Sequence, residues 1–90
     1  KFVFPNLIHP SVQYRIDTLH LNEGNIISAN TFISTDVTLG SFNIINLNCT
    51  IGHDTKIDNF NVINPGVNLS GGVTSVISLI CGPDVFPFTV

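Results

Sequence analysis

His53 and Asp54 are the adjacent pair best suited to moving a proton in this sequence. An imidazole changes charge near neutral pH and so serves readily as a general base. A carboxylate beside it can orient the ring and support its protonated form. Two other histidines, His9 and His20, are weaker candidates. No His/Cys/Asp/Glu group has the spacing of a metal site. The chain has neither a phosphate-binding Gly-rich loop nor a Ser-centred elbow. A His-Asp dipeptide alone is a weak signal, so its weight depends on where the chain puts it.

That placement is set by a period of six. Every sixth residue from Leu21 is Leu or Ile: Leu21, Ile27, Ile33, Leu39, Ile45, Ile51, Ile57, Ile63 and Leu69. Two residues earlier runs a second, mostly small series: Leu19, Asn25, Thr31, Val37, Asn43, Cys49, Thr55, Asn61 and Val67. Residues two apart share one side of a strand, so each pair points inward. An α-helix needs apolar positions near every 3.6 residues, which six does not meet. A short strand plus a corner fits instead. Three such faces close one triangular coil of eighteen residues, and residues 19–72 make three full coils. The expected fold is all-β, a left-handed parallel β-helix of hexapeptide repeats.

The inward amides Asn25, Asn43 and Asn61 lie eighteen apart and should stack as a ladder, bonded to each other or to backbone. Gly24, Gly40, Gly52, Gly66 and Gly71, with Asn22, Asn30, Asn46, Asp58 and Asn64, fall outside the inward positions. They are types that accept tight or left-handed corners. In this register His53, two residues after Ile51, stands at a corner. His20, between Leu19 and Leu21, points outward. His9 belongs to the turn IHPS.

The whole chain reads as one β-helix domain over 1–90: an N-terminal lead-in over 1–18, regular coils over about 19–74 and an irregular tail over 75–90. Val12 and Tyr14 form an inward pair upstream. One extra residue within Arg15 to Thr18 is absorbed at a bulged corner. Residues 1–8, with Phe2, Phe4 and Pro5, cover the first coil. Downstream, Ser75, Cys81 and Pro87 take the next aliphatic sites, so the tail is either a cap or an interrupted continuation.

Charged residues make up only 10% of the chain and the formal charge is -3, which leaves no basic face for nucleic acid. No apolar run is long enough to span a bilayer, and no basic-then-apolar leader is visible. Cys49 and Cys81 make no disulfide framework. A cytoplasmic protein with reduced thiols is expected. The chain starts at Lys1 and contains no Met, which suggests a fragment of a longer architecture.

The stretch INLNCTIGHDTKIDNFNVINPGVNLSGGVT, residues 45–74, resembles the hexapeptide-repeat acyltransferases. It is most similar to the branch of sialic acid O-acetyltransferases and bacterial nucleotide-sugar N-acetyltransferases, and LIHPSV at 7–12 resembles the segment that opens the β-helix there. The resemblance implies a homotrimer, with acetyl-CoA as co-substrate in a groove between subunits. It places the catalytic histidine on His53 and its acidic partner on Asp54. A residue positioning substrate or base falls on Asn46, and cofactor contacts fall on Gly71 and Gly72. The implied activity is acetyl transfer to a hydroxyl or amine of a sugar or nucleotide sugar, without a metal. Three features depart from that branch: Val62 stands where a second histidine is common, the period breaks at Ser75 where the family continues with further regular coils that build much of the CoA groove, and the frequent N-terminal nucleotide-sugar-binding α/β domain has no room here. A non-catalytic trimerisation module and an acetyltransferase for an acceptor such as serine are the alternatives.

Overall fold

The computed structural model describes residues 3–72 and 80–81. These residues wind into a left-handed parallel β-helix with three flat faces. Face I is built from β1 (Leu7–Ile8), β3 (Ile26–Ile27), β6 (Ile44–Ile45), β9 (Val62–Ile63) and β11 (Ile80–Cys81). Face II holds β4 (Phe32–Ile33), β7 (Thr50–Ile51) and β10 (Asn68–Leu69). Face III holds β2 (Leu19–Leu21), β5 (Val37–Leu39) and β8 (Lys56–Ile57). Every pairing is parallel, and from Leu19 onward each residue pairs with the one eighteen further on, as Ile26 does with Ile44.

The expected inward series is the core. Ile27, Ile33, Leu39, Ile45, Ile51, Ile57, Ile63 and Leu69 are buried, and Leu21 is partly buried against them. In the second series Asn25 to Val67 are all buried, with Leu19 packed at the edge. Each coil alone would leave its inward aliphatics open at both ends, so burial comes from stacking.

The amide ladder forms and reaches one rung further than the Asn25–Asn43–Asn61 series. Asn6 Oδ1 accepts from the backbone N–H and Nδ2 of Asn25, both at 2.9 Å. Asn25 Oδ1 does the same for Asn43 at 3.0 Å, and Asn43 Oδ1 accepts the Asn61 N–H at 2.9 Å. The Nδ2 groups of Asn25 and Asn43 also donate to the carbonyls of Gly40 and Asp58 at 2.8 and 2.7 Å. Among the described residues no buried side-chain N or O lacks a partner.

The extra residue is located by register. Leu7 pairs with Ile26 and Gln13 with Phe32, both nineteen apart, while Leu19 pairs with Val37, eighteen apart. The added residue therefore lies between Gln13 and Leu19, where the Leu19 and Thr18 N–H groups both donate to the Arg15 carbonyl. Coil pairing thus already holds at Leu7–Ile8, ahead of the regular series. Of the upstream inward pair, Val12 is buried and Tyr14 is more than a third exposed. At the other end β11 pairs with β9 eighteen residues on, which carries face I into a further coil. The remaining tail residues, Ser75 and Pro87 among them, lie outside the described residues.

The corners follow a rule that residue types only partly reveal. Residues 24, 30, 36, 42, 48, 54, 60, 66 and 72 all have positive φ, between 57° and 78°. Gly, Asn and Asp suit that geometry, but Phe42 and Phe60 do not. They hold it because the register demands a left-handed residue at that step. Their rings also stack, with centroids 5.6 Å apart, and Phe4 meets Phe42 edge-on at 5.3 Å. Gly24 makes room for this ridge: a Cβ there would run into the Phe42 ring.

Replacing Asn43 with Ala would strand the Asn61 N–H and the Asp58 carbonyl in the wall of the core, while Asn25 Oδ1 keeps the backbone N–H of residue 43. A loss of about 3 kcal/mol is expected, at 1–3 kcal/mol per buried unpaired group with partial relaxation. Urea denaturation of the variant against the parent measures it.

Candidate active site

The corner between faces II and III is a stack of three similar turns. Ser34-Thr35-Asp36 lies below, Gly52-His53-Asp54 in the middle and Ser70-Gly71-Gly72 above. Backbone bonds pin the middle turn to both neighbours: Asp54 N–H donates to the Thr35 carbonyl at 3.0 Å, and Gly72 N–H donates to the His53 carbonyl at 2.7 Å. The buried Thr55 hydroxyl adds a bond to the Ser70 carbonyl at 3.4 Å. The main chain at His53 is therefore held from both sides, while its side chain stands in solvent.

His53 Nδ1 lies 2.9 Å from Asp54 Oδ2, and the two side chains are 65% and 64% exposed. An ion pair this exposed contributes little to stability. Its effect is geometric: Nδ1–H donates to the carboxylate, which leaves Nε2 as the acceptor nitrogen. Asp54 has φ 58°, but the equivalent residue of every described corner from Gly24 onward has a positive φ too, so that strain belongs to the fold rather than to chemistry.

Gly71 decides where the ring lies. A Cβ at position 71 would stand 2.5 Å from His53 Nε2 and 2.7 Å from Cδ2. The imidazole is thus laid against the bare backbone of the next coil. Gly72, at φ 75°, makes the left-handed step and has open space beside it. Both glycines have a role in shaping the corner, which the resemblance had not indicated. A signal for it was present in the sequence: Gly71 lies eighteen residues after His53.

Asn46 stands elsewhere. It follows β6 at the corner between faces I and II, and its Nδ2 donates to the Ile63 carbonyl at 3.0 Å. Within one chain, face II separates it from the His53 corner. His9 is engaged in its own turn: Nδ1 accepts the Ser11 N–H at 3.1 Å and lies 2.8 Å from Ser11 Oγ. Ser11 Oγ in turn accepts the Asn30 N–H at 2.8 Å. His20 lies on the outer side of face III, away from His53. The Cys49 thiol is buried and donates to the Asn64 carbonyl at 3.2 Å, and burial pushes its pKa up. Among the described residues no group of three or more His, Cys, Asp or Glu is placed to hold a metal. No helix among the described residues is long and apolar enough to cross a membrane.

No family model and no curated protein matches the chain. Among solved structures it is similar to perosamine N-acetyltransferase from Caulobacter crescentus, in a histidine-to-asparagine mutant in complex with CoA and GDP-perosamine. The identity is 30% and the TM-score 0.77, over 81% of this chain and 34% of that one. The chain therefore spans about a third of the length of that protein. By its fold, repeat and this likeness the chain belongs to the hexapeptide-repeat left-handed β-helix acyltransferases.

Gly71→Ala tests the packing at this corner. The fold should survive, since residue 71 does not take the left-handed step, but the His53 ring must move. Imidazole NMR resonances of His53 should shift while those of His9 and His20 stay in place.

Proposed function

We propose that this chain is the β-helix portion of an acetyl-CoA-dependent acetyltransferase whose acceptor is a hydroxyl or amine of a sugar or nucleotide sugar. The observation that carries the reading is the His53–Asp54 pair, bonded at 2.9 Å with Nε2 free, on a corner whose next coil is bare backbone. The likeness to a protein whose complex holds CoA and GDP-perosamine supports the choice of substrates.

In this mechanism His53 Nε2 takes a proton from the acceptor hydroxyl or amine. Asp54 stabilises the imidazolium that results. The acceptor oxygen or nitrogen attacks the thioester carbonyl, and backbone N–H groups at the corner stabilise the oxyanion. Collapse breaks the carbon–sulfur bond, and His53 returns its proton to the departing thiolate. The side-chain-free surface of Gly71 and Gly72 suits the slender pantetheine arm, which can lie close to the main chain there. Asn46 acts as a positioning residue, reaching the site from a neighbouring copy in a homotrimer. We place the protein in the cytoplasm, where acetyl-CoA is made.

A second reading is favoured by Val62, which stands where the related branch often has a second histidine: a trimerisation module without catalysis. Calorimetry with acetyl-CoA separates the two. Saturable binding at one site per subunit is expected, and no binding at millimolar concentration would leave the structural module. With acceptor sugars, His53→Ala should lower kcat by at least ~100-fold, as loss of a general base does. Asp54→Asn should lower it less and leave acetyl-CoA binding intact. An unchanged His53→Ala rate would remove the assignment.

A further inference from the structure

The outward sides of the three faces differ. On face I the register aligns Leu7, Ile26, Ile44 and Val62 into an unbroken aliphatic stripe. Face III aligns His20, Thr38 and Lys56, and face II aligns Gln13, Phe32, Thr50 and Asn68. Ile26 and Ile44 are about two-fifths exposed, at 41% and 39%, although they sit in the middle of a sheet. Beside the stripe lies a depression of about 720 Å³ with mainly aliphatic walls, Leu7, Ile26, Ala29 and Leu47 among them, and with Asn6, His9 and Ser28 also on its lining. The second apolar feature is convex. It is the ridge of Phe4, Phe42 and Phe60 at the corner between faces III and I, where Phe60 is 67% exposed.

We propose that the Phe4–Phe42–Phe60 ridge of one copy seats in the aliphatic hollow of face I of a second copy, and that this contact builds the trimer. The inference rests on the trimeric reading given above and assigns its surface. Three physical points carry it. The ridge is convex and the hollow concave, and both are apolar, so each supplies what the other lacks. The face I stripe presents one side chain per coil and the ridge one in each coil but that of Gly24, both on the rung spacing of ~4.8 Å that another β-helix shares. The third point is angular. In a triangular section the ridge direction and the outward normal of the adjoining face differ by about 60°. Opposing one copy's ridge to the next copy's face therefore turns each copy by about 120°, and a head-to-tail contact with that rotation closes after three copies. The same ridge set against face II would need no rotation and would give an open filament. Face III would also close, but its Lys56, Thr38 and His20 offer no apolar seat.

The His53 corner is opposite face I, so this contact leaves it uncovered. Face III of one copy then lines the open channel to the next, with His53 on one rim. The Asn46 corner of the adjoining copy forms the other rim. The arrangement accounts for the separation of Asn46 from His53 within one chain.

The test is the mass in solution, by sedimentation, of the full chain and two variants. Phe60→Glu spoils the ridge, and Ile44→Lys spoils the seat. Both side chains point outward, and far-UV circular dichroism with thermal unfolding reports whether the coil is kept. The parent chain should be a trimer, and each folded variant should fall to a monomer. Mixed in equal amounts, the two variants should form a species of two-chain mass, with the intact ridge of Ile44→Lys on the intact seat of Phe60→Glu. A ring of three made from two kinds always holds one like pair with a spoiled contact, so the trimer itself should not return. A parent monomer would overturn both this inference and the trimeric reading. A parent trimer with trimeric, folded variants would overturn the surface assignment alone, as would variants that dissociate and do not pair on mixing. Should either variant fail to fold, Phe60→Asn and Ile26→Thr, which suit their backbone geometry, replace it with the same expected masses.

Discussion

The parallel pairing of each residue with the one eighteen further on governs the structure. Ile26 N–H to the Asn43 carbonyl and Ile44 N–H to the Asn61 carbonyl, both 2.9 Å, are two rungs of that ladder. Once it is fixed, every side chain has a like-placed neighbour above and below. Aliphatics stack on aliphatics, amides on amides and aromatic corners on aromatic corners. A slip of one residue would turn the Leu and Ile series to solvent and bring Lys56 and His20 inside. Register is therefore strongly specified, and the one insertion, near Arg15, is absorbed at a corner where no ladder bond is lost.

The same constraint explains how a chain with so few charges presents a chemical site. The fold offers little depth, since its interior is filled by one large and one small side chain per face. Side chains that do chemistry must stand at corners, on main chain already held from both sides. At the His53 corner this gives an imidazole–carboxylate pair on a rigid main chain, with both side chains exposed. The bare backbone of Gly71 on the next coil settles the ring orientation, so two positions far apart in sequence act as one feature.

The polar interior shows a further use of stacking. A buried amide ordinarily costs stability unless all its groups are satisfied. Here each Asn bonds the next Asn and a corner carbonyl, so the groups that would be liabilities in one coil become ties between coils. The left-handed corner step is likewise common to the nine described turns from Gly24 to Gly72, and at Phe42 and Phe60 it is accompanied by stacking of the two rings.

Much of this was legible in the residues. The nine Leu and Ile sites at intervals of six specify the coil, its inward positions and the placing of His53 at a corner, because a strand face and a repeat length are local properties. The Asn25, Asn43 and Asn61 ladder was legible for the same reason. Other features were decided only in three dimensions. Leu7–Ile8 joins the first coil although its spacing is nineteen, and β11 extends face I although Cys81 breaks the aliphatic series, because backbone pairing does not depend on side-chain type. The approach of Gly71 to His53, the separation of Asn46 from it, and the gathering of aliphatics onto one outer face and aromatics onto one corner depend on which residues the eighteen-residue coil brings together. The period is a property of the residues in order; only the closed triangle assigns each position to a face or an edge.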